Sequence, residues 1–86
     1  MTSIQEVTDA AHRIGESANG LQQRILLSAD SLKKHANQLR VVAHGSRSGM
    51  EAASQVDQAE REARESVAQL LSLQSSIDRF IQDVTR

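Results

Sequence analysis

A seven-residue apolar repeat, running almost the length of the chain in two blocks, constrains this sequence most. Ile4, Ala11, Ala18, Ile25, Leu32 and Leu39 stand seven residues apart. Val7, Ile14, Leu21, Ser28, His35 and Val42 each follow three places later. Side chains at that period share one stripe of an α-helix, and a ladder of this length marks a helix that packs lengthwise on another. A second ladder consists of Val56, Ala63, Leu70, Ile77 and Val84, with Ala52, Ala59, Ser66, Leu73 and Phe80 as its partner column. None of the 86 residues is proline, so neither ladder is forced to break.

Between the ladders lies His44-Gly45-Ser46-Arg47-Ser48-Gly49, where two glycines and two serines interrupt the apolar pattern as a turn requires. Gly45 suits the left-handed conformation that ends a helix. Ser3 with Glu6, and Ser48 with Glu51, have capping-box spacing and predict the two helix starts. The expected fold is all-α: an antiparallel, coiled-coil-like two-helix hairpin forming a single domain over 1–86. The helices are expected at about 3–43 and 49–85, with a turn of Gly45, Ser46, Arg47, Ser48 and Gly49. Gly15 and Gly20 weaken the first helix, and a three-helix arrangement would break there. The ladder crosses that segment without losing phase, which favours a continuous helix.

Charge agrees with a folded-back chain. Residues 1–48 carry six basic and four acidic side chains, a balance of +2; residues 49–86 carry four and seven, a balance of −3. Lys33, Lys34 and Arg40 are expected beside Glu51, Asp57, Glu60, Glu62 and Glu65, with Asp57–Arg61 and Glu60–Arg64 as i,i+4 pairs within the second helix. The net charge of −1 and the lack of stacking aromatics argue against nucleic acid as a partner. No apolar run is long enough to enter a membrane. The start lacks a basic segment followed by an apolar one. The expected location is therefore the cytoplasm, and any export would use a route without a cleavable signal peptide.

One seam between two helices leaves apolar side chains over. Leu26, Leu27 and Val41 on the first helix, and Val67, Leu71 and Ile81 on the second, are expected off the seam as a partner interface. A chain this small buries little surface alone, so pairing with a second hairpin into a four-helix bundle is expected. That partner would be a copy of the chain or a related hairpin.

Little in the sequence points to catalysis. With no Cys, thiol chemistry and disulfides are excluded. Asp9, His12 and Glu16 fall on one helical face but are more simply a solvated polar patch than a metal site. His35 occupies a ladder position, where a polar residue sets register more often than it does chemistry. His44 lies in the turn. No Gly-x-Ser-x-Gly elbow is present, and the turn lacks the Gly-Lys-Ser/Thr ending of a phosphate loop. The expected protein has no enzymatic activity, no cofactor and no metal.

Two long helices around a Gly-containing turn, with the run Gly49-Met50-Glu51-Ala52-Ala53 after it, resemble the small WXG (Esx-type) helical hairpins of type VII secretion. The chain is similar to a divergent member, with the turn glycines but without the Trp of the Trp-x-Gly motif. Phe80 followed by Asp83 is similar to that family's C-terminal export signal, though Tyr is absent and the spacing is one residue shorter. The resemblance implies dimerisation and a place in a secretion complex, as a substrate or as the targeting partner of a toxin with a helical N-terminal domain. The alternative is a general coiled-coil adaptor or assembly subunit unrelated to secretion.

Overall fold

The computed structural model describes residues 2–86 and consists of two helices, α1 (Ile4–Val42) and α2 (Arg47–Val84), packed along their length as an antiparallel hairpin. It is a thin rod of about 64 × 18 × 14 Å between Cα extremes. At 1.5 Å of rise per residue, an arm of 39 residues accounts for about 58 Å of that length. α1 runs unbroken through Gly15 and Gly20, as the phase of the ladder indicates.

Helix ends follow from local chemistry. Ser3 caps α1, its hydroxyl accepting from the Glu6 amide at 3.1 Å. α1 stops at Ala43, and the chain reverses in a four-residue turn closed by the Ser46 amide donating to the Ala43 carbonyl at 2.8 Å. Gly45 occupies the third position of that turn with φ +84°, a conformation glycine adopts without cost. α2 begins two residues earlier than the Ser48–Glu51 spacing suggests. The reversal at Gly45 leaves Ser46 extended, so its hydroxyl accepts from the Gly49 amide at 3.2 Å. Arg47, Ser48 and Gly49 therefore belong to the first turn of α2 rather than to the loop, and Glu51 pairs with Arg47 at 3.3 Å.

The second correction concerns register. One column of each ladder faces the other helix as expected: Ala11 and Ala18 are buried, and Ile25, Leu32 and Leu39 are half-buried. The other inward column lies four residues after the first, not three. On α1 it is Gly15, Gln22, Ala29 and Ala36, continued by Ala43 at the helix end; on α2 it is Ala53, Glu60, Val67, Gln74 and Ile81. Ala29, Ala36 and Ala53 are completely buried, and among the described residues no larger side chain is. Small side chains let the backbones approach closely, so the alanine column takes the seam and displaces the larger one to its flank. The approach is tightest at the turn, where a Cβ on Gly49 would lie 2.2 Å from that of Ala43.

These positions predict opposite outcomes for equivalent glycine substitutions. Gly20→Ala, with open space around it, should raise stability by up to about 1 kcal/mol through helix propensity. Gly45→Ala is strained by its positive φ, and Gly49→Ala by collision with Ala43, so each should lower stability by about 1 kcal/mol or more. Thermal unfolding of the three variants followed by circular dichroism measures all of these changes.

Candidate interaction faces

The hairpin presents two long faces of different chemistry. On one, the residues directly following the seam columns are His12, Asn19, Leu26, Lys33 and Arg40 from α1, and Asp57, Arg64, Leu71 and Asp78 from α2. Arg40 pairs with Asp57 across the helices, and Arg64 reaches both Asp30, at 3.0 Å, and Glu60 on its own helix. The Arg64 guanidinium holds its proton more tightly than usual because it donates to Glu60 and, secondarily, to Asp30. Lys33, Lys34 and the Asp57–Arg61 combination, expected in such pairs, form no ion pair among the described residues.

Inside the seam a short polar chain crosses the hairpin. The amide of buried Gln22 donates to the Gln74 side-chain oxygen at 2.7 Å, and the Gln74 amide donates to the Gly15 carbonyl at 3.1 Å. Gly15 has no side chain to block that approach. The polar ladder residues Ser28 and His35, expected in the seam, are instead exposed. Gln22 could have been found from its place four residues after Ala18.

The opposite face is apolar. Val7, Ile14, Phe80 and Ile77 line one open groove near the free end of the hairpin. The seven-residue repeat extends this face through Leu21 on α1 and Leu73 on α2. Ile14, Leu21, Leu73 and Phe80 are 42–55% exposed. Apart from His35, the columns Val7–Val42 and Ala52–Phe80 hold no ionisable side chain.

The residues first expected to make a partner interface do not form one surface. Val67 is buried in the seam and Ile81 is half-buried there, because the inward columns are spaced four rather than three residues apart. Leu26 and Leu71 stand on the charged face. Leu27 and Val41, at 67% and 78% exposure, point outward from the back of α1. Asp83 is exposed and lies near Arg86 at 3.9 Å, while Phe80 lies in the apolar groove.

Among the described residues no cluster of three His, Asp or Glu side chains could hold a metal ion. Asp9 accepts from Gln5 at 2.9 Å, whereas His12 and Glu16 line a different groove, beside Asp78. Among those residues no helix is long and apolar enough to cross a membrane. No protein-family model, curated protein or solved structure matches the chain.

Substitution separates seam from face. Ala36→Leu places a larger side chain where exposure is zero and should cost about 1–3 kcal/mol. Leu73→Arg, on a half-exposed site, should leave the helix content of the hairpin within a few per cent of its original value, as far-ultraviolet circular dichroism would show.

Proposed function

We propose that this chain is a helical-hairpin interaction protein that acts by laying its apolar face against another helical hairpin. One observation carries the reading: Ile14, Leu21, Leu73 and Phe80 stand about half-exposed outside the seam, on one face whose columns hold no ionisable side chain apart from His35. An isolated two-helix rod has no layer to cover them, and a second pair of helices would complete a four-helix bundle.

The role proposed for this pairing is attachment to a type VII-like secretion system, with the hairpin as an exported subunit or as the targeting partner of a toxin with a helical N-terminal domain. The length of the arms, the glycine turn and the half-exposed Phe80 with exposed Asp83 near the free end support this role.

The test is chemical cross-linking of the tagged chain in its native cells, followed by identification of what it holds. The expected product contains a helical hairpin, a copy or another chain, and is lost in the Leu73→Arg variant. Products unchanged by Leu73→Arg, or none at all, would overturn the reading. Deleting 80–86 should abolish export while leaving pairing measurable if Phe80 and Asp83 form the signal. Export unaffected by that deletion would remove them from the role.

A further inference from the structure

The outward side of α1 carries a chemistry that neither the seam nor the apolar groove uses. Gly20, Leu27, Lys34 and Val41 recur there at intervals of seven, and Ser17, Arg24, Ser31 and Gln38 stand three places before each. In an α-helix these two columns lie opposite the pair that faces α2, and all of their residues except Gly20 are exposed. Leu27, Val41 and neighbouring Val42 are the most exposed large apolar side chains among the described residues. Lys34, Asn37, Gln38, Val41 and Val42 line an open groove of about 360 Å³. Charge on this side has one sign. Between Ser17 and Ala43 the only carboxylate is Asp30, and Arg64 holds it from α2. Arg40 is held by Asp57. Arg24, Lys33 and Lys34 make no ion pair among the described residues, so this stretch of α1 presents three free positive charges and no free negative one.

We propose that the outward side of α1, from Arg24 to Val42, docks an acidic amphipathic helix of another protein. This surface does not depend on the pairing proposed for the apolar face. Leu27 and Val41 stand fourteen residues apart, about 21 Å along the helix, with Lys34 midway. A helix laid alongside matches that order with an aliphatic side chain, a carboxylate and a second aliphatic side chain at intervals of seven, while a further carboxylate reaches Arg24. Complementary charge then fixes its register and excludes basic helices. Two other occupants fit less well. A bilayer surface takes a helix with a continuous apolar face, whereas Ser31, Lys34 and Gln38 divide Leu27 from Val41. The outward columns of α2 in a second copy, with Glu51, Glu62 and Glu65, match the charge. Between these acids they hold Gln55, Gln58 and Gln69 and no apolar side chain, so Leu27 and Val41 would stay uncovered.

The probe is a labelled synthetic helix of about 22 residues in an Ala/Gln background. It carries two leucines fourteen residues apart on one face, a glutamate midway between them and another three residues outside one leucine. Fluorescence anisotropy should show it binding the full chain, more weakly as salt rises. Lys34→Glu should weaken binding about tenfold, and Leu27→Gln should weaken it by a similar factor. A probe with lysines in place of the glutamates should prefer the double variant Arg24→Glu, Lys34→Glu to the original chain. All three sites are exposed, so circular dichroism should show the helix content unchanged. Leu73→Arg, on the apolar face, should not alter binding of the glutamate probe. Equal binding of the two probes to the original chain, or no binding of either, would overturn the proposal. Binding lost in Leu73→Arg and kept in Lys34→Glu would also overturn it, moving the probe to the apolar face and leaving the pairing reading standing. If phosphatidylglycerol vesicles sediment the chain but not its Lys34→Glu variant, and the glutamate probe does not bind, the surface belongs to anionic lipid and the proposal falls.

Discussion

The close approach of two helix backbones along a column of alanines governs this molecule. Among the described residues Ala29, Ala36 and Ala53 are the only side chains shut away completely. Each offers little hydrophobic area, yet together they set the distance at which all other groups meet. At that distance Gln74 can donate to the Gly15 carbonyl and Arg40 can reach Asp57. Ile14, Leu21 and Leu73 are displaced to the flank because the alanine column takes the place beside the partner helix, while Ile25, Leu32 and Leu39 stay half-buried along the seam. Burial and exposure thus have one cause.

The same constraint divides the surface. A seam centred between columns four residues apart leaves the following positions on one side and the position three residues after the first column on the other. The former are rich in Lys, Arg and Asp; the latter are almost uncharged. The charged side holds the cross-helix ion pairs. Arg64–Asp30 is exposed and Arg40–Asp57 half-buried, and ion pairs so open to water individually contribute little, about 0–1 kcal/mol. They nevertheless identify the side that tolerates water, and hence the side available for apolar association.

Much of the fold was legible in the residues. The absence of proline, the two ladders and the glycine turn pointed to two unbroken antiparallel helices. The register was not legible to the same degree. A heptad read by hydrophobicity favours Ile14 and Leu21 over Gly15 and Gln22, because transfer free energy ranks them that way. Packing ranked them oppositely, since small side chains permit the backbone contact that larger ones prevent. The candidate interface shifted with the register: Val67 and Ile81 moved inward, while Ile14, Leu21 and Leu73 moved outward. The cap moved from Ser48 to Ser46 for a separate reason, the immediate reversal at Gly45, which spacing to Glu51 does not encode. Function was the least legible, since no motif in the chain prescribes a reaction and an apolar face does not name what covers it.

The four-residue turn at Gly45 also has a kinetic meaning. Among the described residues every cross-helix link is nested around it, from Ala43 beside Gly49 outward to Gly15 with Gln74. Once the turn has closed, each further pair is brought together by the one before it, so loop-closure entropy is met in small steps rather than one large one. The hairpin is thus a zipper with a single slider. Opening proceeds from the free end toward Gly45, and the end that carries Ile14 and Phe80 is the first to part.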